Sequence, residues 1–194
     1  MKLKRTDLSQ NLIHWFRGEF EQEAYDTLLK VICSGQLLGG SGSIRGGYTC
    51  ICFTETPKEV FFNVKPRYMP FGVMLPKSFV FDLGGRPAIY QSSAEFNHLP
   101  ESFKWRHVRY EPTANPPIDF TWEREWRLLI ETLDLPYEDT TIIVPNNEWL
   151  ERLYQDFESE EYKKTTYDNL MLDGYYSEPR DIPYKCIYLS GPGF

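Results

Sequence analysis

The sequence predicts a compact single domain of the α+β class, and three observations point there. Short apolar runs end repeatedly at Gly and Pro, of which the chain has 13 and 14. Two longer runs carry a helical period, and strands and helices do not alternate regularly as a doubly wound sheet requires. At 194 residues with 41% hydrophobic and 16% aromatic residues, the chain can bury one substantial core.

The elements follow in chain order. Residues 11–16 (NLIHWF) read as a strand that Gly18 separates from a helix over residues 19–34. In that helix Phe20, Ala24, Leu28 and Val31 recur at steps of four, four and three, and Leu29 and Ile32 widen the stripe. Glu19, Glu21 and Glu23 suit its positive N-terminal end, and Gly35 suits a left-handed stop. Residues 39–47 (GGSGSIRGG) hold five glycines, a link free to connect two elements or to approach a ligand closely. No phosphate-loop or dinucleotide-binding order of glycines is present.

Residues 48–54 form a second predicted strand, and Pro57 is placed to start a short helix through residues 60–62. Strands are predicted over 71–75, 86–90 and 105–110, with a loop over 112–117. Residues 121–130 (TWEREWRLLI) read as the next strand, followed by 141–144. Asn146 or Asn147 then caps a helix from Glu148 to about residue 163, and residues 185–189 make a last strand. The acidic stretch 158–161 (ESEE) reads as a solvated helix end.

Composition narrows the functional classes. A formal net charge of -7 argues against tight non-specific binding of DNA or RNA, which draws on clustered Lys and Arg, though a local basic patch stays open. No segment approaches the ~20 apolar residues of a membrane-spanning helix, so a cytoplasmic protein without membrane partners is expected. Cys33, Cys50, Cys52 and Cys186 are too few for a stapled secreted domain and read as reduced thiols. Together with His14, His98 and His107 they offer no recognisable metal-ligand spacing, and no metal is expected.

The chemistry-bearing candidate is TWEREWRLLI. On a strand, alternation puts Glu123, Glu125 and Arg127 on one face and Trp122, Arg124, Trp126 and Leu128 on the other. Two carboxylates sharing one space can hold a sugar hydroxyl and steady a developing cation, with Arg127 keeping both ionised. The same pattern also describes a cross-strand ladder of ion pairs with a purely structural role. A metal-dependent nuclease would need Glu55 to converge with Glu123 and Glu125.

Several motifs add a family context. His14-Trp-Phe, the helix ending Ile32-Cys-Ser-Gly-Gln-Leu37, the Gly-rich link into a strand and the later Glu-x-Glu are similar in order to the ADP-ribosyltransferase superfamily. Cys52-Phe-Thr-Glu-Thr-Pro57, Phe71-Gly72, Gly85-Arg-Pro-Ala-Ile-Tyr90 and Glu123-Arg-Glu-Trp-Arg127 resemble the bacterial abortive-infection AbiGi-type proteins. The resemblance runs through most of residues 11–130 and implies a split β-sheet core with a few flanking helices.

As function it implies a toxin or phage-defence component that uses NAD as substrate and modifies a protein or nucleic acid. The alternative it implies is a non-catalytic antitoxin or binding module with a cognate toxin or antitoxin partner. In the transferase reading Glu125 stabilises the oxocarbenium-like ribose and Glu123 orients the nucleophile or binds ribose. His14 hydrogen-bonds a ribose hydroxyl or sets the nicotinamide-side geometry, Tyr48 or Phe53 stacks on nicotinamide, Thr54 supplies a hydroxyl contact or only caps the helix at Pro57, and Arg45 meets the pyrophosphate. Trp15 stands after His14, where many His-type transferases carry Gly.

Two basic groups complete the survey. Lys58, Lys65, Arg67 and Lys77 lie among Phe61, Phe62, Tyr68 and Phe71, and residues 104–109 (KWRHVR) read as a strand with one basic exposed face.

Overall fold

The structure, a computed structural model, describes residues 9–42, 44–58, 68–171 and 177–189. The fold is α+β, as predicted. In chain order the strands are β1 (Asn11–Arg17), β2 (Gln36–Leu38), β3 (Ile51–Thr54), β4 (Tyr68–Pro76), β5 (Arg86–Pro87), β6 (Ile89–Gln91), β7 (His107–Arg109), β8 (Glu125–Leu128), β9 (Thr132–Asp134), β10 (Thr141–Val144) and β11 (Lys185–Tyr188). The helices are α1 (Glu21–Ser34), α2 (Lys77–Asp82), α3 (Glu101–Lys104) and α4 (Asn147–Met171). Seven strands form a mixed sheet ordered β11-β10-β4-β1-β3-β8-β5, with separate pairs β2-β9 and β6-β7.

The chain divides into two compact units. One comprises residues 1–14, 37–66 and 74–133, the other residues 15–36, 67–73 and 134–194. In the first, β3 pairs antiparallel with both β1 and β8, and β5 pairs antiparallel with β8. Leu12, Ile13, Ile51, Phe53, Leu75, Val80 and Leu128 are buried there. The runs of Ile, Val, Phe and Leu that define these strands are the residues that fit a pleated, covered surface.

In the second unit α1 buries Ala24, Leu28, Val31 and Ile32 of the predicted stripe and adds Tyr25, while Leu29 is only half-buried and Phe20 is left out. Phe20 sits ahead of the first turn in extended conformation and is exposed, because the helix begins two residues later than the periodicity suggests. The N–H of Glu19, one residue ahead of the N-cap Phe20, is satisfied by the Glu23 carboxylate at 2.8 Å. Gly35 ends the helix at φ 72°, where its N–H donates to the Val31 carbonyl. Phe71 meets Tyr25 and Trp149 edge to face, Tyr25 and Trp149 are tilted against each other, and the Arg152 guanidinium lies over the latter two rings.

Helix α4 opens where Asn146 Oδ1 accepts the Trp149 N–H at 3.1 Å, so of the two predicted caps, Asn146 and Asn147, the first serves. It runs to Met171, a further eight residues beyond the predicted end, and buries Leu153, Phe157, Glu161 and Thr165. The acidic stretch on it is not wholly solvated: Glu161 is buried, and Arg180 donates to both its oxygens at 2.9 Å. That fork is the reason a carboxylate tolerates the position. Strands β10 and β11 run parallel in the register Thr141 to Lys185. The helix predicted after Pro57 and the side chains of Lys65 and Arg67 lie outside the described residues.

Candidate active site and its buried ion pair

The predicted strand over residues 121–130 is shorter than its pattern suggests. Thr121–Glu123 is a 3-10 turn, Arg124 adopts the left-handed conformation at φ 46°, and β8 begins only at Glu125. A left-handed residue cannot continue a pleated strand, so the alternation that set Glu123 beside Glu125 does not apply. The turn is tied down by β3 and its continuation. Thr56 Oγ1 donates to the Trp122 carbonyl, Thr54 Oγ1 to the Glu123 carbonyl and the Glu55 N–H to the Arg124 carbonyl. Three successive carbonyls that β8 would otherwise have used are thereby satisfied.

Register then sorts the remaining candidates. Ile13 lies opposite Thr54, Thr54 opposite Glu125 and Cys52 opposite Arg127, so these five side chains share one face of the sheet. His14 is the neighbour of Ile13 on β1 and points to the other face, with Phe53 and Trp126. Its ring meets Phe53 edge to face at 6.1 Å, and its Nδ1 donates to the Cys52 carbonyl at 2.8 Å. Glu55 also serves that second face: its carboxylate accepts from Trp126 Nε1 at 3.2 Å and from Lys77 Nζ at 2.5 Å. His14 and Glu125 therefore do not line one cleft, and Glu55 does not join Glu125.

On the first face the Glu125–Arg127 pair dominates. Arg127 Nε donates to Glu125 Oε1 at 2.7 Å, and both side chains are about nine-tenths buried or more. Arg127 Nη1 donates to the carbonyls of Trp105 at 2.8 Å and His107 at 2.9 Å. The Glu125 N–H donates to the Tyr90 hydroxyl at 2.8 Å, and the Ala88 N–H to the Glu125 carbonyl. Burial opposes the Arg127 charge, yet the Glu125 carboxylate outweighs it and holds the guanidinium above its usual range. Burial first and the Glu125 charge second push the Cys52 thiol well up, so it stays a thiol rather than a nucleophilic thiolate. Burial likewise raises Tyr90.

The other candidates spend their polar atoms within the protein. Arg45 Nη1 donates to the Ser93 carbonyl at 2.9 Å while its guanidinium lies 4.2 Å over Phe96. The Tyr48 hydroxyl donates to the Glu101 carboxylate. The Gly-rich link is closed at its base by paired Gly40 and Cys50, and Gly46 at φ 93° leaves no room for a Cβ against the Tyr48 ring. Its described residues thereby deliver Arg45 and Tyr48 onto Ser93 and Glu101. All four cysteines are free thiols. Among the described residues no group of three or more His, Cys, Asp or Glu could hold a metal ion, and no helix is long and apolar enough to cross a membrane.

Tyr90 and His107 belong to this site, and sequence reasoning assigned neither a part in it. The signal for Tyr90 was its place in the Gly85–Tyr90 motif; His107 contributes a carbonyl, which no side-chain pattern reveals. Comparison with family models, with curated proteins and with solved structures returns no match to this chain.

Proposed function

We propose that this chain acts by binding, as a non-catalytic antitoxin or partner module of a bacterial abortive-infection system, inside the cell, on a core retained from an ADP-ribosyltransferase-like ancestor. The observation that carries this reading is the separation of His14 from Glu125 onto opposite faces of the sheet. A nicotinamide ribose bound by one cannot reach the other. Glu125 is moreover occupied by Arg127, whose own donors are anchored on two carbonyls. Burying such a pair favours a fixed structural carboxylate over one that meets developing charge.

The NAD-consuming transferase is the second reading, and a specific observation favours it. Strands β1, β3 and β8 are consecutive neighbours, with Ile13, Thr54 and Glu125 in one row. That places a hydroxyl and a carboxylate side by side on the strands where the resemblance expects its second and third signature positions. In this reading Glu125 and Thr54 act without His14.

Incubation with NAD and chromatographic measurement of nicotinamide decides between them. Binding predicts no release above buffer and no growth arrest on expression in bacteria. Release that Glu125→Gln abolishes would sink the binding reading and leave the transferase.

A further inference from the structure

The basic run 104–109 was expected to form a strand with one exposed basic face. Instead it splits into the end of α3 and the short strand β7, with Arg106 between them reaching back toward β5. Arg106 Nε donates to the Pro87 carbonyl at 2.9 Å, and the Ile89 N–H donates to the Arg106 carbonyl at 2.8 Å. Arg86, the residue before Pro87, is held by its Nη1 on the carbonyls of Phe81 at 2.8 Å and Gly85 at 2.7 Å. Two guanidiniums are thus fastened at the β5 end of the sheet on carbonyls two residues apart, Gly85 and Pro87.

Each cation also lies over a ring that water reaches. The Arg86 guanidinium carbon is 3.8 Å from the Phe81 centroid and that of Arg106 is 5.7 Å from Phe103. Phe81, Leu83 and Phe103 are all exposed. Neither arginine has a carboxylate partner among the described residues, although acidic residues outnumber basic ones by 28 to 21 in the chain. Burial and then the Arg86 charge hold Arg106 below the usual arginine range. Across the sheet Arg86 pairs with Arg127, whose charge Glu125 already balances.

An anion held by both forks offsets their charge and accepts the donors the carbonyls leave free. Arg is suited to such a place because its planar fork matches phosphate oxygens and is weakly hydrated. The exposed rings beside it offer faces and edges to a planar base. From this geometry we infer that Arg86 and Arg106, with Phe81 and Phe103, form a binding site for the phosphate-and-base unit of a nucleotide. The site is independent of the Glu125 carboxylate and goes beyond the binding role proposed above by naming a ligand class.

Fluorescence anisotropy with a labelled single-stranded RNA octanucleotide tests it. The protein binds the octanucleotide, and joint Arg86→Ala and Arg106→Ala substitution weakens binding about ten-fold or more. The joint Lys variant keeps the charge but loses the fork, and falls between the two. Arg109→Ala, whose guanidinium is held by Glu111, leaves binding unchanged. Displacement by adenosine monophosphate at similar concentration assigns the unit to free nucleotide, and failure to displace assigns it to a strand; both support the site. Equal binding by wild type and a folded double Ala variant, or preference for a phosphoserine peptide over both nucleotide probes, overturns it.

Discussion

Arg127 shows how a single side chain converts a suspected catalytic strand into a buried structural unit. Its guanidinium joins Glu125 to the carbonyls of Trp105 and His107, so β8 and the segment 105–107 both depend on it. Arg127→Met leaves the Glu125 carboxylate buried and unpaired, and is expected to cost about 3–5 kcal/mol in denaturant unfolding. Replacing both partners by apolar residues of similar volume is expected to recover most of that loss. A single variant as stable as wild type would show that the pair is not desolvated.

Glu161 offers a residue-scale test against pH. Hydrogen bonding from Arg180 holds its folded pKa below the ordinary 4.5. A depressed carboxylate pKa contributes stability that is fully present above the unfolded value and lost as pH falls through the folded one. Glu161→Gln is therefore expected to flatten the decline of the urea midpoint below about pH 4.5, while changing its slope little at neutral pH. An unchanged acid limb in the variant would remove Glu161 from the linkage.

Elements are bounded by a few residues with special backbone geometry. Gly35 at φ 72° stops α1, and a Cβ there would also come within 3.3 Å of the Tyr184 hydroxyl. Gly35→Ala is expected to lower stability by roughly 1–2 kcal/mol, read by thermal unfolding, because the left-handed region penalises a side chain. Arg124 does the corresponding work at β8 without being glycine. Its left-handed conformation persists because the carbonyls of residues 122–124 are all taken by residues 54–56. Thr56→Val removes one of those ties and is expected to destabilise by about 1 kcal/mol.

For the molecule as a whole, net charge sets the ceiling on nucleic-acid affinity. With a formal charge of -7, any such binding has to come from a local site rather than from the global field. Two phosphate-facing arginines predict a slope of log affinity against log salt of only about -1 to -2 for single strands. A steeper slope would point to a wider basic surface than Arg86 and Arg106 provide.

The sequence by itself determined the α+β class, most of the α1 stripe and its Gly35 stop, an Asn cap of α4 at 146 or 147, and β10, whose bounds match their run of residues. These features rest on local chemistry: a 3.6-residue period, a left-handed glycine, a side-chain cap, a β-branched run. Glu125 and Arg127 were also legible as neighbours, since both lie within one short strand. What only the tertiary structure decided depends on contacts distant in the chain. Thr54 and Thr56 hold residues 121–123 as a turn and remove Glu123 from the row. The register of β1 on β3 turns His14 away from Glu125, and a one-residue difference in register would have done the opposite, because strand side chains alternate with a period of two.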